Sequence, residues 1–241
     1  CGDNAGKVLL EFGEVLGVVL PCLEKMIGFE QHNEHHCFDV YEHTVNVVKN
    51  VRPVLHMRLA ALFHDCAKPL CQTFDEKGTG HFYSHAPKGA DIAKAELTRL
   101  RFDSDTVNKV EKLVRIHDSP IECDEKTVKR KLRRLGENTF FDLVELQRAD
   151  NLAQAETYRF RQKHFDELLL LAEKVIKENA CFSMKSLAVN GYDIMNLGFR
   201  GKAVGKALDF LLEAVIDEKI PNEKEALLNM VKSKKEELQM S

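Results

Sequence analysis

The sequence has no C-x-x-C pair, no long apolar run and almost no net charge, and each absence excludes a class of protein. Seven cysteines, an odd number, stand without metal-ligand spacing. They read as reduced, mostly buried thiols of a cytoplasmic protein, not as a disulfide framework or a cysteine metal site. The longest apolar run near the start, Val15 to Leu20, contains Gly17 and stops at Pro21, which is too short to span a bilayer. No basic stretch precedes it as in a secretory signal. Against 35 Lys+Arg stand 38 Asp+Glu, a formal charge of -3. A uniformly basic nucleic-acid coat is thereby excluded, although local basic patches are not. No internal repeat or low-complexity tract is visible. The chain also begins at Cys1 with no methionine before it, which reads as a fragment of a longer protein. A lipid-anchored cysteine after signal cleavage is the other reading.

What is present suits a folded chain. Of 241 residues, 44% are hydrophobic and 30% charged, enough to bury a sizeable core and remain soluble. At about 150 residues per domain the length allows one large or two modest domains. Helical periodicity dominates. Val8, Phe12, Val15, Leu16, Val19 and Leu23 suit one or two buried helices over 7–28. Asp39 with Glu42 three residues later predicts a capped helix to about Val51, ended by Pro53. A second helix is expected over His56 to Lys68, ended by Pro69, and a small hairpin or ordered loop over Gln72 to Ser84. Further helices are expected over 88–101, over 105–117 capped by Ser104, and over 125–135 capped by Asp124. Another is expected from Asn138 to Asn151, running on with a kink to Asn179. The predicted tail helices cover 193–197, 202–217 and 223–239. The fold class is therefore all-α, with a main helical domain over 1–180 and a helical tail over 181–241.

The sharpest local feature is the doublet His64-Asp65 at the end of the apolar stretch Leu59 to Phe63. Two polar groups there need partners once buried. His43 lies on the preceding helix, and Asp150 follows an apolar stripe at a helical position. Together they offer two imidazoles and two carboxylates. A bare His-Asp pair is also what a histidine capped by its neighbour looks like.

The full arrangement resembles the HD superfamily of metal-dependent phosphohydrolases, whose pattern is a His, a His-Asp doublet and a distant Asp, all on helices. The matching residues are His43, His64-Asp65 and Asp150, and His64 to Pro69 resembles the family's H-D-x-x-K-P segment. The resemblance implies one divalent cation, Mn, Fe, Co, Ni or Mg, held by these four residues. Open positions would take water and a phosphate oxygen, and the acidified water would attack phosphorus. Asp65 and Lys68 are the expected catalytic residues, Lys68 neutralising a phosphate oxygen; a helix C-terminal cation is its other reading. By the same resemblance His85 and His117 would hold a second ion, sharing Asp65, about 3.5–4 Å from the first. Alternatively, both histidines bind substrate phosphate above a single metal. His35 and His36 read as turn residues near the site mouth, and His81 as a substrate contact. His32, His56 and His164 read as surface or packing residues, and Cys66 as core.

The segments Ile27 to His36 and Asp39 to Thr44, with Val189 to Gly198 and Gly201 to Lys206, resemble the HD region and tail of bacterial tRNA nucleotidyltransferases, the CCA-adding enzymes and their poly(A) polymerase relatives. Over most of 8–230 the chain is similar to that C-terminal part. The polymerase head departs. Asp103-Ser104-Asp105 has an acid pair without the preceding glycine turn, so nucleotide addition by this chain alone is not expected. The implied substrate is a phosphomonoester or 2′,3′-cyclic phosphodiester on a nucleotide or RNA end. The rival reading is a non-catalytic module for tRNA binding or homodimer formation. Gly198 to Lys202 resembles a helix–hairpin–helix phosphate contact, with a plain packing turn as the other reading. Lys129, Arg130 and Arg133, with Arg200, Lys202 and Lys206, are the candidate RNA or phosphate contacts. The stripe over 126–134 reads equally as a solvated helix face, since no aromatics interleave it.

Overall fold

A computed structural model describes residues 2, 4–32, 38–178 and 183–240. Cys1, His35, His36 and Asn179 lie outside the described residues. The fold is all-α, with a single two-stranded ribbon among the described residues. No described helix is long and apolar enough to cross a membrane.

The chain divides into two compact units, residues 1–120 with 138–166, and residues 121–137 with 167–241. In this division 121–137 and 167–178 group with the tail. A helix face is shared out by what it packs against, which composition along the chain does not record.

The first unit opens with α1 (Ala5–Val19) and α2 (Pro21–Glu24). The expectation that α1 buries its apolar stripe is overturned. Val8, Phe12, Val15 and Val19 are exposed, and the buried positions are Gly6, Gly13 and Gly17. Close approach is the reason: a Cβ on Gly13 would stand 2.9 Å from the Tyr41 ring. Next comes α3 (Val40–Asn50), capped as expected, with Asp39 accepting from the Glu42 N–H at 2.7 Å and from that of Gly28 at 2.7 Å. It packs against both α1 and α4 (Leu55–Phe63).

α4 stops five residues earlier than expected. The chain tightens through i to i+3 bonds, Cys66 N–H to Phe63 O and Lys68 N–H to Asp65 O, into a 3₁₀ turn over Lys68–Leu70. Pro69 disfavours α geometry at the residue before it. The doublet thus lies just past the helix end, in a turn. β1 (Thr73–Phe74) and β2 (Gly80–His81) form the expected antiparallel hairpin. It leads into α5 (His85–Arg99), which packs along α6 (Ser104–Ile116), and α6 packs on α4. The cap of α6 is Asp103, not Ser104. Its carboxylate accepts from Thr106 N–H at 2.9 Å and from the Thr106 hydroxyl at 2.7 Å, a stronger acceptor than a serine hydroxyl. α8 (Glu137–Ala153) completes this unit, with Phe140, Leu143 and Leu146 fully buried. It begins at Glu137, so Asn138 lies inside it, and it ends where a 3₁₀ segment, Glu156–Arg161, intervenes.

The second unit holds α7 (Glu125–Leu135), capped by Asp124 as expected, and most of α9 (Gln162–Lys177). Its tail contains α10 (Gly191–Asn196), α11 (Lys202–Ile216), α12 (Lys224–Ser233) and α13 (Lys235–Met240). Ile194, Phe199, Leu211, Leu212, Leu227 and Val231 form its core. The charged helix expected over 223–239 is two helices, broken at Lys234.

Candidate metal centre

Six residues foreseen as metal ligands converge inside the first unit. His43 comes from the middle of α3, His64 and Asp65 from the turn closing α4, His85 from the first position of α5. His117 follows the end of α6, and Asp150 sits in the last turn of α8. His43 and His64 are fully buried, Asp65 is 2% exposed and Lys68 6%.

Early helix termination orients the rings. His64 Nδ1 bonds the carbonyl of Ala61 at 2.8 Å, His85 Nδ1 that of Phe82 at 2.8 Å, and His117 Nδ1 that of Val114 at 2.7 Å. Each partner is the carbonyl three residues earlier. A carbonyl only accepts, so in all three rings Nδ1 carries a proton and Nε2 faces inward. This is how second partners prepare histidine for a metal. His43 Nδ1 meets the Ala153 carbonyl at 3.4 Å.

Asp65 stands between two sets of imidazoles. Its Oδ2 lies 3.1 Å from His64 Nε2, 3.6 Å from His43 Nε2 and 2.8 Å from Lys68 Nζ. Its Oδ1 lies 3.4 Å from His85 Nε2 and 3.7 Å from His117 Nε2. Asp150 Oδ1 closes the first set, 2.9 Å from His43 Nε2 and 4.0 Å from His64 Nε2. The ligating atoms of His43, His64 and Asp65, and those of Asp65, His85 and His117, are each mutually close enough to surround one ion.

Two observations fit these residues to a cation. His64 Nε2 is buried and makes no hydrogen bond, despite its nearness to Asp65. His85 Nε2 and His117 Nε2 face each other at 3.2 Å, where two neutral Nδ1–H rings would have no donor between them. A cation between the two nitrogens would satisfy both. The electrostatics agree. Burial opposes ionisation of Asp65, but the His64 and Lys68 charges and a hydrogen bond from His117 outweigh it, holding the carboxyl well below the usual range. Burial likewise opposes ionisation of Asp150, yet the bond from His43 and the charges of His43 and His64 hold it well below. Burial pushes His85 down, offset in part by Asp65, which favours the neutral ring a metal needs.

With that geometry in hand, the comparisons decide the family. The profile described as tRNA nucleotidyltransferase domain 2, putative, matches residues 84–231, more than half of the chain. The chain belongs to that family. It is 37% identical over 229 residues to the CC-adding tRNA nucleotidyltransferase of Thermus thermophilus, covering 92% of this chain and 51% of that protein. It is also 32% identical over 117 residues to the bifunctional uridylyltransferase/uridylyl-removing enzyme of Hydrogenovibrio crunogenus, covering 39% of this chain and 12% of that protein. The chain thus spans about half the length of the first relative and a small part of the second.

The remaining candidates of this tRNA nucleotidyltransferase domain 2 chain are distributed as follows. Lys129 pairs with Glu125 at 2.6 Å. Arg130 pairs with Asp217 and, at 3.6 Å, with Glu213, while Arg133 pairs with Asp209 and Glu213. The foreseen basic stripe is therefore largely matched to Glu125, to Asp209 and Glu213 of α11 and to Asp217 just past its end. Arg200 bonds the carbonyls of Met195 and Phe199, at 2.6 and 2.7 Å, closing the end of α10. Lys202 and Lys206 are exposed at the start of α11. His81 bonds Asp75 at 3.3 Å and stacks on Tyr83, and Cys66 is core. His56 is tied into a packing cluster with Asp142 and Arg52. Sequence reasoning missed Gln31, 3% exposed, whose Oε1 accepts from Lys68 Nζ at 2.7 Å. Nothing in periodicity or spacing marks a glutamine as the partner of a lysine 37 residues on.

Proposed function

We propose that the first unit is a metal-dependent phosphohydrolase of the HD type. His43, His64, Asp65 and Asp150 would hold one divalent cation, and Asp65, His85 and His117 a second. The observation that carries this reading is the division of the Asp65 carboxylate, one oxygen toward each pair of imidazoles. Mixed imidazole and carboxylate donors suit Mn, Fe, Co, Ni or Mg. Bound there, such a cation polarises a phosphate oxygen and lowers the pKa of a water.

The chain's own residues do the rest. Asp65, kept ionised, holds the two halves of the site together. Lys68 sets a positive charge beside it, placed to take a phosphate oxygen. The carbonyl bonds to Nδ1 fix each ring, so little reorganisation is needed. The substrate class is a phosphomonoester or a 2′,3′-cyclic phosphodiester on a nucleotide or RNA end. One relative is named for adding CC to tRNA and one for transferring and removing uridylyl groups, which supports a nucleotide or RNA end as the substrate's carrier.

Asp65→Ala should lose both divalent metal, read by elemental analysis, and hydrolysis of a panel of nucleotide phosphates. Hydrolysis retained with the metal lost would overturn the mechanism. The second reading is a tRNA-binding or dimerisation module, favoured by the family itself. There the tail presents Arg200, Lys202 and Lys206 to tRNA, with Lys129, Arg130 and Arg133 contributing only if their ion pairs open.

A further inference from the structure

Lys68 Nζ is held from three sides. Asp65 Oδ2 accepts at 2.8 Å, Gln31 Oε1 accepts at 2.7 Å, and the Phe82 ring centroid lies 5.2 Å away. Asp65 attracts the ammonium toward the carboxylate that the proposed cations would share. Among the described residues Gln31 is the neutral hydrogen-bond acceptor recorded for this ammonium, and it holds it from another direction.

Gln31 is itself built into place. Its side-chain amide lies 3.4 Å from the Phe38 carbonyl. Its backbone is clamped onto the hairpin: Gly80 N–H donates to His32 O at 2.8 Å, and Gln72 Nε2 donates to Glu30 O at 3.1 Å. A Cβ on Gly80 would stand 2.3 Å from the Gln31 carbonyl oxygen, so that approach requires glycine. A buried amide fixed at both backbone and side chain, with its oxygen on a buried ammonium, is not a casual contact.

We propose that Gln31 is a positioning residue: with Asp65 it fixes the Lys68 ammonium from a second side, so that the remaining N–H is aimed to meet a substrate phosphate oxygen. The inference rests on the phosphohydrolase reading above. Gln31 acts through Lys68, which its side-chain oxygen meets. The hairpin and the 29–32 segment thereby become part of the site's substrate recognition.

The test compares wild type, Gln31→Met, Lys68→Met and the double variant in the full chain. Gln31→Met keeps the length and loses the acceptor. It should raise KM about tenfold, the range of one hydrogen bond to a charged group, with kcat changed far less. It should weaken binding of inorganic phosphate by a similar factor, read by calorimetry, while metal content by elemental analysis stays at the wild-type level. Adding Gln31→Met to Lys68→Met should cost nothing more, because the effect passes through Lys68. Additive losses in the double variant, or unchanged KM and phosphate affinity in Gln31→Met, would overturn the inference. Wild type that holds metal but hydrolyses no member of the panel would instead overturn the reading it rests on. Should Gln31→Met unfold, Gln31→Glu keeps an acceptor oxygen on a similar stem but adds a charge against the Lys68 ammonium. It should retain metal while weakening phosphate binding and raising KM; unchanged phosphate affinity and KM in that variant would overturn the positioning role.

Discussion

At the scale of single residues, the site is a balance of charge in a buried place. Taking a carboxylate out of water costs several kcal/mol, and a hydrogen bond to a charged group returns about 1.5–3 kcal/mol. Asp65 offsets its burial with Lys68 and the surrounding imidazoles, and Asp150 with His43. Both carboxyls sit below their ordinary range, so the sign of the pH dependence follows. The stability they contribute is present above the unfolded value of about 3.9 and is lost as pH falls through their lower folded values. The metal-free chain should therefore lose stability on the acid side of that value. Asp150→Asn should flatten that limb in acid titrations followed by circular dichroism. A wild-type slope in the variant would show that Asp150 is not linked to folding.

At the scale of elements, the site depends on where helices end. α4 and α6 stop at His64 and His117, and the histidine side chains take up carbonyls close to those ends. The hairpin does the equivalent for α5, since Phe82 supplies the carbonyl for His85. Gly80 matters for the same reason. Gly80→Ala would drive a Cβ into the Gln31 carbonyl, and overpacking of that kind costs about 1–3 kcal/mol. The expected outcome is a lower Tm together with weaker phosphate binding. A lower Tm alone would separate the hairpin's structural role from its role at Lys68. Gly13→Ala, crowding Tyr41 at 2.9 Å, should lower Tm by a comparable amount and leave phosphate binding unchanged.

At the scale of the whole molecule, the two units carry different chemistry. Every proposed metal ligand lies in the first, while the second has a basic helix, α7, largely matched to the acids of α11 and to Asp217 just past its end. If tRNA binds through the tail, its affinity should fall with salt and survive removal of metal by chelation. Lys202→Ala with Lys206→Ala should reduce the salt slope by about two, whereas Arg130→Ala with Arg133→Ala should leave it nearly unchanged. A larger drop from the arginine pair would show that their ion pairs open on RNA.

Much of the fold and site was legible along the chain because caps and periodicity are local. Asp39 and Asp124 cap their helices through N–H groups three residues away, and the His64-Asp65 doublet stands out in its apolar run. The sequence by itself determined an all-α fold, offered a hairpin or an ordered loop over Gln72 to Ser84, and named the candidate ligands only through a family resemblance. Only the tertiary structure decided what those residues meet. It turned the glycine face of α1 inward, because backbone approach to Tyr41 outranked burial of its valines. It divided the Asp65 oxygens between two pairs of histidines, set Gln31 on Lys68, and matched Arg133 to acids some 80 residues away. Partners across helices depend on how faces pack in three dimensions, and no spacing along one chain encodes that.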